Sequence, residues 1–216
     1  MGISVADSKL IQLLRRELQQ ARDILSELGR VIDDLNDARY KEENLKRLDH
    51  IRELKKAVSE SQTEYLSYLS KVGRSLVHRE EWVRIGLRVM DVLDKLSGIT
   101  YRLSFLIEKS WLVPPPVQSL LSSMCGEVNG MVQGLESILI KLQGSPSEAL
   151  EELKTISALE NRVDEIYRSV MFEILSANIS GNTALLLLSV AEMLENSSDT
   201  LYELTNNIYI ILLDIV

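Results

Sequence analysis

Apolar residues recur at intervals of three and four along almost the whole chain. Leu10, Leu13, Leu14, Leu18, Ala21, Ile24, Leu25, Leu28, Ile32 and Leu35 show the pattern at its clearest, and it places one continuous apolar stripe on a helix. No segment shows the sustained alternation of β-branched residues that a half-buried strand needs. The spacing predicts six helices, near 8–38, 42–71, 79–110, 116–143, 147–177 and 183–214. Only 10 Gly and 4 Pro interrupt 216 residues, so the expected fold is all-α, an elongated six-helix bundle.

The breaks between helices carry their own chemistry. Gly73 follows the second helix, and the run Val113-Pro114-Pro115-Pro116 cannot continue the third. Gly144-Ser145-Pro146 reads as a stop, an N-cap and a first-turn proline, and Ser180-Gly181-Asn182 separates the last two helices. The proline run also divides the chain into halves of similar plan. An offset of 105 places Leu54 on Leu159, Val58 on Val163 and Leu66 on Met171, while an offset of 101 places Asp91 on Glu192, Asp94 on Glu195 and Leu103 on Leu204. Two three-helix repeats are expected, 1–113 and 114–216, together forming one domain.

Charge is distributed unevenly between these halves. Of the net −8, residues 1–110 contribute +2 (20 Lys and Arg against 18 Asp and Glu) and residues 111–216 contribute −10 (4 against 14). An acidic second half is a poor surface for phosphodiester backbones, so no nucleic-acid partner is expected. Cations or basic partners suit it better. The single Cys125 permits no internal disulfide and fits a reducing compartment. Asp7 and Lys9 interrupt the apolar residues near the start, unlike a signal peptide, and the stretches Thr183–Ala191 and Ile208–Val216 are too short to span a bilayer. A cytoplasmic protein is expected. The apolar tail Ile208–Leu213 looks too continuous for one buried stripe, which predicts a homo-oligomer.

Catalytic signatures are lacking. His50 and His78 have no Cys, Ser or acidic residue at a spacing used for catalysis, and Gly73, Gly86 and Gly98 form no phosphate-cradling loop. Acidic pairs are the exception. Glu160 and Asp164 stand four residues apart, and Glu195, Asp199 and Glu203 repeat that spacing in the last helix, with Glu192 three residues earlier. At 100° per residue Glu192, Asp199 and Glu203 lie within about 40° of one another, with Glu195 about 60° to one side. Like charges so placed destabilise a helix, and no Lys or Arg follows Arg168 to relieve them. Two readings follow: a divalent cation held by carboxylates from two helices, or a solvated face opposite the apolar stripe of Val190, Leu194, Leu201, Leu204 and Ile208.

The run Leu159-Glu160-Asn161-Arg162-Val163-Asp164-Glu165-Ile166-Tyr167-Arg168, followed by Glu192-Met193-Leu194-Glu195-Asn196-Ser197-Ser198-Asp199, resembles the paired ExxxD motifs of the PhoU-like proteins. The resemblance extends to Arg79-Glu80-Glu81 and the proline-rich midpoint, and it is nearest to the stand-alone regulators associated with Pit-type inorganic phosphate permeases. It implies two three-helix repeats, oligomers, and iron, zinc or a similar divalent metal held on the bundle surface. The metal residues implied here are Glu160, Asp164, Glu195 and Asp199, with Glu192 and Glu203 as outer ligands. It also implies regulation of phosphate uptake or signalling without catalysis, at or near the inner face of the membrane. The first half departs from the motif: Lys55 and Ser59 stand in the places of Glu160 and Asp164, and Gly98 and Arg102 in those of Asp199 and Glu203. Any metal is therefore expected in the second half alone. The competing expectations are a metal-free helical adaptor that dimerises through apolar helices, and a carboxylate-bridged oxidase. The oxidase is disfavoured because its Glu-x-x-His pairs need histidines that this chain lacks beyond His78.

Overall fold

The computed structural model describes residues 2–216. Six long helices account for nearly all of them: α1 (Val5–Asp33), α2 (Lys41–Val72), α3 (Arg79–Glu108), α4 (Pro115–Lys141), α5 (Pro146–Ser176) and α6 (Gly181–Leu213). No strand occurs among the described residues. Helix starts follow their local chemistry. Ser4 and Asp7 form a reciprocal capping box on α1, with the Asp7 N–H donating to Ser4 Oγ (3.2 Å) and the Ser4 N–H donating to Asp7 Oδ2 (3.0 Å). Prolines occupy the first turns of α4 and α5, where the missing N–H is not needed. Ser180 Oγ accepts from the Thr183 N–H at the start of α6 (3.1 Å).

The first helix stops five residues before the expected 38. After Asp33 the chain turns away, because Asn36 is recruited to the connection between α3 and α4. Its Nδ2 donates to the Val113 carbonyl (2.7 Å) while its Oδ1 accepts from the Val113 N–H (2.9 Å). Asp37 then caps a single 3₁₀ turn, Ala38–Tyr40, by accepting from the Arg39 N–H (3.0 Å). A reciprocal amide pair across 77 residues is invisible to periodicity.

Helices α1, α2 and α3 pack on one another, as do α4, α5 and α6, and the two triplets meet through α1 against α4 and α3 against α6. Among the described residues the backbone of α2 packs on no helix of the second triplet and that of α5 on none of the first. The apolar stripes merge into one continuous core, with Leu10, Ile85, Val128 and Val190 fully inaccessible. Each such side chain contributes roughly 1.5–3 kcal/mol. Tyr65 and Trp82 are buried within it with their polar ends satisfied: the Tyr65 hydroxyl donates to the Trp82 carbonyl (2.7 Å) and the Trp82 indole N–H to Asp7 (2.8 Å).

The tail expected to meet another subunit is split by the fold. Ile208, Ile211 and Leu212 are buried within the chain, whereas Tyr209, Ile210 and Leu213 face outward. His78, which the sequence leaves at a helix start without a partner, lies 3.2 Å from Asp214 beyond α6. No helix of the described residues is long and apolar enough to cross a membrane.

A carboxylate cluster in the groove between α5 and α6

Two helices bring the acids together. α5 presents Glu160 and Asp164 one turn apart, α6 presents Asp199, and one carboxylate oxygen from each lies within 4.8 Å of the other two. Among the described residues this is the one place where three His, Cys, Asp or Glu side chains converge closely enough to share an ion. None of the three is buried.

Desolvation, and after it the neighbouring carboxylates, raise the proton affinities of Glu160 and Asp199. Glu160 is held above the usual carboxylate range, first by desolvation and then by the charges of Asp164 and Asp199. Asp199 is raised by desolvation, then by Asp164 and Glu203, with Lys95 pulling the other way. Glu195 belongs to the same field: desolvation raises it, followed by Asp199, Asp164 and Glu192, again opposed by Lys95. The phenol of Tyr167 is likewise raised by desolvation and then by Glu195 and Glu192. Three carboxylates offer hard oxygen donors, a set that fits a hard divalent ion better than a thiophilic one.

The six acids do not act as one stripe. Glu203 is turned to α3, where it pairs with Arg88 (2.8 Å). Glu192 lies up the groove beside Arg102 and Tyr167. The expectation that nothing basic relieves α6 is corrected by the tertiary structure, since α3 supplies the cations that the local sequence lacks. Lys95 Nζ donates to Thr200 Oγ1 (2.7 Å) and to the Asn196 carbonyl (3.1 Å), and on α5 Arg168 stands 4.0 Å from Asp164. Lys95, Arg88 and Arg168 are the groups sequence reasoning missed. Arg168 stands four residues after Asp164, a spacing legible on α5 itself, whereas nothing in the local sequence of α6 marks Lys95 or Arg88 on α3.

The matching place in the first half holds an internal cation. Lys55, in the position of Glu160, pairs with Asp94, in the position of Glu195, at 3.2 Å. Ser59 spends its hydroxyl on the Lys55 carbonyl (3.2 Å). Cys125 offers no alternative ligand: it is buried against the Leu25 carbonyl (3.3 Å), and burial pushes its thiol up to about 12.

No family model matches the sequence, and no curated protein matches it significantly. The fold has clear counterparts. A crystal structure described as that of a PhoU-like phosphate regulatory protein from Shewanella oneidensis MR-1 superposes with a TM-score of 0.77, at 13% identity, over 96% of this chain and all of the other. A second crystal structure, described as that of a PhoU-like protein from the same organism, superposes with a TM-score of 0.76, at 13% identity, over 95% of this chain and all of the other. The architecture is therefore the PhoU-like all-α fold.

Proposed function

We propose that this chain is a non-enzymatic regulator of inorganic phosphate transport or phosphate signalling that binds a divalent metal through Glu160, Asp164 and Asp199, with Glu195 beside them. The observation that carries the reading is the convergence of three carboxylates on a fold whose neighbour is described as a phosphate regulatory protein. Iron and zinc are the ions the motif resemblance suggests, and an all-oxygen donor set adds manganese. The halves 1–113 and 114–216 are read as two copies of one three-helix unit, of which only the second keeps its ligands. A second copy of the chain and a Pit-type phosphate permease at the inner face of the membrane are the proposed partners.

Two measurements test this reading together. Phosphate uptake is followed in cells lacking the gene and carrying either the wild type or the Asp164→Asn/Asp199→Asn variant, and the metal content of untagged protein is read by elemental analysis. Altered uptake restored by the wild type but not by the variant, with metal in the wild type only, is the expected result. Restoration by both proteins, with metal in neither, favours instead a metal-free helical adaptor. That second reading draws on Lys95, Arg88 and Arg168, which already offset part of the acidic charge.

A further inference from the structure

The groove between α5 and α6 has three zones along its length. Its upper zone is an open hollow of 630 Å³ walled by Met171, Leu185 and Leu188. The carboxylate cluster occupies the middle. The lower zone is a second open hollow, of 450 Å³, walled by Leu150, Leu153, Tyr202 and Tyr209. From Leu185 to Tyr209 is about 36 Å along α6. Leu185 is 68% and Tyr209 43% exposed, so apolar surface lies open at both ends of an acidic stretch. The offset of 101 places Arg84 and Glu108 in the positions of these two residues, while Leu87 and Tyr101, in the positions of Leu188 and Tyr202, stay apolar and exposed.

We propose that this groove docks one amphipathic helix of a partner protein, with apolar anchors toward its two ends and Lys or Arg between them. A helix of about 24 residues matches the length, satisfies its own backbone and presents anchors at helical spacing. The basic middle follows from charge complementarity with Glu160, Asp164, Glu195 and Asp199. A second copy of the same face would set two acidic clusters against each other, and like charges brought together across an interface oppose association. The proposal rests on the groove and not on the metal, which would compete with the helix for the same carboxylates.

The probe is a fluorescein-labelled 24-residue synthetic helix with Leu in its terminal turns, Lys in its central turns and Ala and Gln elsewhere, compared with a version carrying Glu for Lys. Anisotropy is read with EDTA present, on the full chain and on Leu185→Glu, Tyr209→Glu, Asp164→Asn/Asp199→Asn and the off-groove control Tyr101→Glu, each checked for helicity by circular dichroism. The Lys peptide should bind at least tenfold tighter than the Glu peptide. Each groove variant should weaken it tenfold or more, and Tyr101→Glu should leave it unchanged. Absence of saturable binding, equal binding of both peptides, or indifference to Leu185→Glu overturns the proposal. So does sedimentation showing a wild-type dimer that Leu185→Glu dissociates, because the groove would then belong to a second copy. A metal-free elemental analysis defeats the metal reading while leaving these outcomes intact.

Discussion

Lys95 on α3 donates to the backbone carbonyl of Asn196 on α6 across 3.1 Å, and the two residues are equivalent under the offset of 101 that places Asp91 on Glu192. The helices therefore cross at the same point of their own sequences. On either side, Arg88 reaches Glu203 (2.8 Å) and Arg102 reaches Ser189 (2.7 Å). These are again one contact made twice, since 88 and 102 correspond to 189 and 203. Lys95 also donates to Asp91 (2.6 Å), so its ammonium stands at the crossing while lowering the proton affinity of Glu195 and Asp199.

Removing that ammonium should help a metal. Lys95→Met takes away a positive charge that repels an incoming cation, and at this partly exposed distance the gain is about 1 kcal/mol, or roughly fivefold in affinity. Loss of the hydrogen bonds to Asp91, Asn196 and Thr200 should lower the melting temperature at the same time. Isothermal titration with manganese, beside a thermal melt, checks both. Unchanged or weaker binding would show that Lys95 does not face the ion.

Metal affinity should fall on acidification earlier than for ordinary carboxylates, because Glu160, Glu195 and Asp199 all hold their protons more tightly than usual. The metal-induced rise in melting temperature should shrink as pH is lowered from 7 to 5. Asp164→Asn/Asp199→Asn should abolish it at every pH, whereas Asp91→Asn/Asp94→Asn should leave most of it. Equal loss in both double variants would refute an ion confined to the second half.

Glu17 makes a separate prediction about stability. It is 1% exposed on α1, both carboxylate oxygens lack a hydrogen-bond partner among the described residues, and burial raises its pKa from 4.5 to about 7. Below the unfolded value both states carry the proton and nothing is lost. Between 4.5 and 7 the folded state keeps a proton that the unfolded chain releases, so stability declines as pH rises and levels off above 7. The full effect is about 3 kcal/mol. Glu17→Gln cannot ionise, so at pH 8 it should melt about 5–10 °C above the wild type and close to it at pH 4.5. Melting curves at the two pH values decide, and a difference independent of pH would mean that Glu17 is already neutralised.

Two helical glycines should respond in opposite directions to alanine. A Cβ on Gly86 would lie 2.2 Å from Tyr65 Cε1, and that ring is pinned by its hydroxyl bond to the Trp82 carbonyl. Overpacking of about 1–3 kcal/mol then outweighs the helix-propensity gain of about 1 kcal/mol. On Gly98 the Cβ would meet Met193 Cε at 2.2 Å, the free end of a flexible side chain that can swing away. Gly98→Ala should therefore stabilise by about 0.5 kcal/mol while Gly86→Ala destabilises. Denaturant midpoints with unchanged slopes would verify the pair, and the same sign for both would count against the argument.

Helix number, helix starts and the core were legible in the amino-acid sequence, because 3.6-residue periodicity, N-caps and first-turn prolines act within a few residues. Leu10 through Ile32 report their own burial, and Pro115, Pro146 and Ser180 report where helices begin. The early end of α1 was not legible, since Asn36 answers to Val113. The acids at 160, 164 and 199 were visible as motifs, but their spacing along two helices cannot say whether the helices bring them together. Only the packing of α5 on α6 sets them within 4.8 Å. Only the packing of α3 on α6 turns Glu203 to Arg88 and brings Lys95 to the edge of the cluster. Local sequence fixes which way a side chain points around its own axis, whereas the identity of the charge opposite it depends on interhelical register, which is set by the whole core at once.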